Sequence, residues 1–314
     1  MKMKALDVLA QNVFLMERGE LERAARIEVE VQAAAPASES AIRKADGTAI
    51  INISGVIAPR DSWMLRLLGG TSIEQVLANF NSALADPSVE SIMLNIDSPG
   101  GSVAGVSDLA SRIYEARAQK PVVAFTSGYM ASAAYWIGAA ASAIVVGDTA
   151  TLGSIGVLAV IADDRGRQTR DGVVFHEIIS SGAPNKRPDP ATDAGRAVLQ
   201  GNVDAIEEVF VGAVARFRGV STDRVLTDFG RGGVLIGAQA VRAGLADAVG
   251  TFDGTLRAKK TSNQWYFSGP APIASDAKSQ WNRSPELRAE FGTFERYAGY
   301  LKHEELCAQL TRRA

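Results

Sequence analysis

The chemistry-bearing residues of this chain lie in and around one window of small and apolar side chains, Gly128-Tyr-Met-Ala-Ser-Ala-Ala-Tyr-Trp-Ile-Gly138. Its one aliphatic hydroxyl, Ser132, is a candidate nucleophile toward a carbonyl carbon. A helix start crowded with Ala and Gly lets a peptide backbone approach closely. Its unpaired N–H groups and positive dipole end can hold a developing oxyanion. The same serine also reads as a satisfied core residue, because residues 121–147 form one long, mostly apolar run and periodicity does not separate a buried element from a functional one.

Three further stretches bear on that choice. Asp97-Ser-Pro-Gly-Gly101 follows the apolar run Ser91-Ile-Met-Leu-Asn-Ile96, at the carboxyl end of a strand, where open α/β sheets bind ligands. Gly100 and Gly101 can supply half of an oxyanion hole and the N–H of Ala133 the other half; a Pro-Gly-Gly is equally an ordinary turn. A base is also needed. The only histidines are His176, in the alternating stretch Val174-Phe-His-Glu-Ile178, and His303, in the C-terminal tail, and neither is placed like a base. A lysine can substitute once burial lowers its pKa from about 10.4 toward neutrality, at about 1.4 kcal/mol per unit, and Ser/Lys pairs are an established variant of the serine triad. Lys186 ends the loop Ser180-Ser-Gly-Ala-Pro-Asn-Lys186; by composition alone it reads as a solvated loop lysine. Ser154, in Gly153-Ser-Ile-Gly156, can orient an ammonium group or bind substrate, or it is a turn serine.

The elements that would position these residues alternate regularly. Residues 49–57 read as strand, 72–85 as helix, 91–96 as strand. A helix carrying Val103, Val106, Leu109, Ala110, Ile113 and Tyr114 on one face follows, then a strand at 121–126, the Ser132 helix and a strand at 143–146. Thr151–Val157 is expected to turn into another strand, and Val173–Ile179 to form a further one. Leu199, Val203, Ile206, Phe210, Val214 and Phe217 mark a long helix closing the core from outside. A short helix, a Gly-rich turn at 230–233 and a helical run over 238–247 end the domain. The expected class is α/β with crossover connections.

Outside residues 48–250 the pattern changes. Leu6, Leu9, Val13, Met16, Leu21, Ala24 and Ala25 predict a helical arm over 5–30, joined by an Ala/Pro/Ser linker at 33–40. Residues 251–314 read as a Ser/Pro/Ala-rich linker and a tail with a terminal helix over 283–303.

A net charge of -2, from interspersed charges, predicts no nucleic-acid or anionic-membrane surface. The single cysteine, Cys307, excludes an internal disulfide framework, and no Cys/His cluster has metal-ligand spacing, so neither metal nor cofactor is expected. The longest unbroken apolar stretch before residue 30, Val13–Met16, is far short of a signal-peptide core. The 121–147 run is long enough for a membrane span, but its Pro, Gly, Ser and Thr residues resolve it into strand, turn, helix and strand. A cytoplasmic chain without signal peptide or anchor is the expectation.

Taken in order, Asp97–Gly101, Tyr129-Met-Ala-Ser-Ala-Ala-Tyr135, Thr151-Leu-Gly-Ser-Ile-Gly-Val157 and Ser181-Gly-Ala-Pro-Asn-Lys186, together with the ending Ala240-Val-Arg-Ala-Gly-Leu-Ala-Asp247, resemble the signal peptide peptidase A family of serine peptidases, in the ClpP/crotonase superfamily. The resemblance covers about residues 48–250. It implies a repeated β-β-α core, Ser132 as nucleophile, Lys186 as general base, Gly100, Gly101 and Ala133 as oxyanion hole and Ser154 as a helper of the lysine. It also implies a peptide or protein substrate and a homo-oligomeric ring in which a neighbour can supply the lysine. Family members often carry Gly after the serine; Ala133 and Ala134 here imply a narrower groove.

The lack of an anchor, the helical arm and the tail Trp281-Asn-Arg-Ser-Pro-Glu-Leu-Arg-Ala-Glu-Phe291 look more like the phage branch, the head-maturation (prohead) proteases. That implies capsid, scaffold or portal partners and a place in the host cytosol or the prohead. A cytosolic signal-peptide-degrading peptidase, a crotonase-like acyl-CoA enzyme that dispenses with Ser132, and a non-catalytic assembly module are the alternatives.

Overall fold

A computed structural model of the protein describes residues 2–4, 14–16, 28–30, 43–161, 165–172, 174, 176–261 and 264–266. In chain order the strands are β1 (Lys2–Lys4), β2 (Phe14–Met16), β3 (Glu28–Glu30), β4 (Arg43–Ala45), β5 (Thr48–Ala58), β6 (Thr71–Ser72), β7 (Ser91–Ser102), β8 (Val122–Thr126), β9 (Tyr129–Ala131), β10 (Ala143–Val146), β11 (Thr151–Gly153), β12 (Val234–Ile236), β13 (Ala248–Val249), β14 (Lys259–Thr261) and β15 (Gln264–Tyr266). The helices are α1 (Trp63–Leu67), α2 (Ile73–Ala85), α3 (Val106–Ala116), α4 (Ala133–Ala139), α5 (Arg165–Arg170), α6 (Asp193–Arg218), α7 (Thr222–Asp228), α8 (Ala238–Ala243) and α9 (Phe252–Arg257).

Strand β7 holds this mixed α/β architecture together. On one flank it pairs in parallel with β5, from Thr48 opposite Ser91 to Ile57 opposite Gly101, with a bulge between Ser54 and Val56. On the other flank its first half pairs in parallel with β8, which continues through β10 to β13. Farther along, Ser98 pairs with Met130 of β9, and β9 leads to β11 and the antiparallel β12. One curled, largely parallel sheet results.

The apolar run 91–96 forms a strand because both faces are covered, which removes any need for polar alternation. Ile92, Leu94 and Ile96 join Val76, Phe80, Leu109, Ile113, Trp136, Phe210 and Val214 in the main core, under α2, α3, α4 and α6. Met93 points the opposite way, with Ile50, Val123, Phe125 and Val145, against Phe252 and Leu256 of α9. Thr192 caps α6, its hydroxyl accepting from Gly195 N at 3.0 Å, and Gly219 ends it at φ 65°. From this helix Phe210 stacks on Trp136, with ring centroids 4.6 Å apart and planes 10° from parallel. The long helix therefore closes the core over the Ser132 window.

Several expectations change. The stretch expected to be a helical arm contains strands at Phe14–Met16 and Glu28–Glu30; their backbone groups are satisfied by β7 and β1, partners that local periodicity does not reveal. The rest of the arm, the 33–40 linker and the 283–303 helix lie outside the described residues. The strand expected at 173–179 is not formed by its described residues: the segment finds no ladder, and Val174 and Ile178 are 74% and 97% exposed. The chain is a strand at Thr151–Gly153 and leaves the ladder at Ser154, where φ is 52°. The helical run over 238–247 stops at Ala243 because Gly244 turns left-handed at φ 97°. Packing also continues past Gly250, through α9 to Ala258.

Candidate active site

Ser132 stands between β9 and α4, at a sharp strand-to-helix turn. Its backbone adopts φ 56° and ψ -119°, a conformation that costs a residue with a Cβ energy and persists only where the surroundings enforce it. Two hydrogen bonds do so. Ser132 N donates to Gly153 O at 2.7 Å, and Trp136 N donates to Ser132 O at 2.9 Å. The side chain is treated differently from the backbone: Ser132 Oγ is buried and has no hydrogen-bond partner. An unsatisfied buried hydroxyl costs about 1–3 kcal/mol, so this is not the satisfied core serine that the sequence also allowed.

The neighbouring turn is held by residues to which the sequence assigned no such role. Asp97 Oδ1 accepts from Tyr129 N at 3.0 Å, tying the middle of β7 to the start of β9. A Cβ on Gly128 would lie 2.3 Å from that same oxygen, so glycine is required beside it. Gly153, at φ 118°, presents its carbonyl to Ser132, and a Cβ there would meet Gly233 O at 2.8 Å. Ser154 is half-buried, and its N–H donates to Gly233 O at 2.7 Å. The Gly230–Gly233 turn thus supports the residue pair that supports Ser132. The signal for these positions was present as motif glycines, without a partner to give it meaning.

Gly100 and Gly101 lie at the end of β7. Gly101 has no room for a side chain: a Cβ would fall 1.9 Å from Ile57 O. Gly100 adopts φ 104°, and its N–H donates to Ser98 Oγ at 3.1 Å while Ser98 Oγ donates to Gly55 O at 2.6 Å. The expectation that both glycine N–H groups face a substrate therefore meets a Gly100 N–H already engaged. Ala133 is fully buried at the first position of α4, where its N–H has no intrahelical acceptor.

Lys186 belongs to a different loop. It closes the 3-10 turn Pro184–Lys186, exposed, in an open depression lined by Glu177, Ile178, Ile179, Ser180 and Arg187. Arg187 pairs with Glu177 there. Since Ser132 Oγ has no partner, no hydrogen bond joins the two residues within one chain. Adjoining strands β7, β9 and β11 carry Gly100, Gly101, Ser132, Ala133 and Ser154 at or next to their ends; Lys186 makes no hydrogen bond to Ser132 Oγ. His176 is exposed.

The ending Ala240–Asp247 is a clamp. Arg218 donates to both Asp247 oxygens, at 2.9 and 2.8 Å, and Asp247 Oδ2 also accepts from Ile144 N at 2.7 Å. Burial alone would lower the Arg218 pKa, but Asp247 beside it raises it above the ordinary arginine range. Tyr135, one turn into α4, donates to Leu245 O at 3.1 Å, and burial pushes its phenol above the ordinary tyrosine range. Among the described residues, no His/Cys/Asp/Glu cluster could hold a metal ion, and no helix is long and apolar enough to cross a membrane.

Residues 115–265 match Peptidase family S49. The chain is 31% identical over 247 residues to the head-tail preconnector protein GP5 of Enterobacteria phage P21, covering 77% of this chain and 49% of that protein. It is 33% identical over 205 residues to the capsid assembly protease C of Escherichia phage lambda, covering 64% and 46%. With Protease 4 of Salmonella typhi it shares 30% identity over 207 residues, covering 65% and 33%. The chain spans about half the length of the two phage relatives. Four motifs in order, the Ser132 turn and this match lead to one assignment: the chain carries a domain of peptidase family S49.

Proposed function

We propose that this chain is a serine endopeptidase of phage or prophage head maturation, with Ser132 as nucleophile and Lys186 as general base. The observation that carries the proposal is the Ser132 hydroxyl, buried and unpartnered on a strained strand-to-helix turn. The S49 match and two phage relatives, one named a capsid assembly protease, support it.

Lys186 Nζ takes the proton from Ser132 Oγ as Oγ bonds to the substrate carbonyl carbon. The N–H groups of Ala133 and Gly101, with Gly100 once its bond to Ser98 is exchanged, hold the oxyanion. The C–N bond then breaks, and the leaving amine takes the proton from the lysine. Water, deprotonated by the same lysine, attacks the acyl ester; the C–Oγ bond breaks and Ser132 Oγ takes the proton back from the lysine. Ser154 orients the ammonium group.

Within one chain Lys186 is exposed and Ser132 is without a partner, so the dyad is completed on assembly, by a neighbour in a homo-oligomeric ring. The peptidase unit is a ClpP/crotonase-like domain over about residues 48–250, to whose sheet β2 is added and against which α9 packs. Its substrates are capsid, scaffold or portal proteins, met in the host cytosol or the prohead.

Cleavage of a scaffold protein or peptide library by wild type, Ser132→Ala and Lys186→Ala is the test. Loss of activity in both variants is expected, and full activity in either overturns the dyad.

A further inference from the structure

Strand β2 occupies a telling place. Phe14 pairs antiparallel with Ser102, Leu15 with Gly101 and Met16 with Gly100. Gly100 and Gly101 already have Val56 and Ile57 of β5 on one flank, so β2 lies on the other. That flank is the one β9 uses two residues earlier, where Met130 pairs with Ser98. Beyond Met130 the chain turns away at Ser132, and β2 takes up the edge that β9 vacates. The backbone of Phe14–Met16 thus runs along Gly100–Ser102, beside the turn that carries the unpartnered hydroxyl.

An extended segment added to a free strand edge is a general way for a fold to hold a peptide: the main chain supplies the hydrogen bonds irrespective of sequence. We infer that Phe14–Met16 occupies the position of the substrate backbone, so that the chain's own N-terminal segment is a competitive occupant of the proposed peptidase site. This rests on the function proposed above and adds its regulation. Tethering gives the segment a high effective concentration, which excludes dilute peptides. Three residue pairs hold its described residues, few enough for a substrate presented at comparable local concentration to displace it.

Proline has no N–H to donate to a ladder. Full-length Leu15→Pro and the double variant Phe14→Pro/Met16→Pro between them remove every β2 donor. Three quantities are measured: amide exchange at Gly101 and Ser102, the rate at which a fluorophosphonate labels Ser132, and KM and kcat for a peptide substrate. At least one variant is expected to exchange at those amides tenfold or more faster, to label several-fold faster and to show a several-fold lower KM at unchanged kcat. A synthetic peptide of residues 11–20 should restore protection and slow labelling, or be cleaved. Wild-type exchange and labelling in both variants, with unchanged circular dichroism, overturns the inference. Faster exchange reversed by the peptide, with no hydrolysis or labelling in any form, upholds the occupancy and overturns the peptidase reading instead.

Discussion

The N–H of Ser132 donates to the carbonyl of Gly153 at 2.7 Å, fixing the candidate nucleophile to a strand end twenty-one residues downstream. Gly153 can do this only as glycine, since its φ is 118° and a Cβ would sit 2.8 Å from Gly233 O. Gly153→Ala should therefore cost about 1–3 kcal/mol of stability and slow fluorophosphonate labelling of Ser132 by more than the lost folded fraction. Urea melts and labelling rates under native conditions measure the two effects separately.

Ser132 itself should show function opposed to stability. Ser132→Gly removes both a positive-φ Cβ and an orphaned buried hydroxyl, so the variant should gain about 1–3 kcal/mol while losing all peptidase activity. Chemical denaturation and peptide hydrolysis on the same preparation check this.

Asp97 is a positioning residue through Tyr129. Asp97→Ala leaves the Tyr129 N–H without its carboxylate, an interaction worth about 1.5–3 kcal/mol. The loss should fall on kcat rather than KM, because the β9–Ser132 turn is displaced while the substrate edge on β7 remains. Asp97→Asn keeps an acceptor and should recover most of the rate.

The Arg218–Asp247 clamp should be asymmetric to mutation. The Arg218 side chain is 9% exposed and that of Asp247 38%; Asp247→Asn strands the buried guanidinium and should destabilise by about 3–5 kcal/mol, whereas Arg218→Met leaves only a solvated carboxylate and should cost less. Replacing both residues with apolar ones of similar size should recover part of that loss, as a double-mutant cycle in urea would show.

Stability should also fall in alkali. The Tyr135 phenol is raised in the folded state, so above the ordinary tyrosine pKa of about 10 the unfolded chain loses a proton that the folded chain keeps. The contribution is complete below that pH and is lost progressively above it. Tyr135→Phe should flatten the decline between pH 9.5 and 11, measured by denaturant midpoints.

Much of this protein was legible in its sequence. The run Ser91–Ile96 became the two-faced strand β7, and the spacing from Leu199 to Phe217 became the long helix α6, because period acts over a few residues. Gly100, Gly101, Ser132, Ala133 and Ser154 were named as candidates by type and order alone. What only the tertiary structure decided are the relationships across the sheet. The Ser132 hydroxyl is orphaned, Asp97 holds Tyr129, and Gly100 is engaged by Ser98. Phe14–Met16 is a strand on β7 where a helix was expected, and Val174 and Ile178 are exposed where a strand was expected. A strand needs a partner to satisfy its backbone, and which distant segment supplies it is settled by packing rather than by the local pattern.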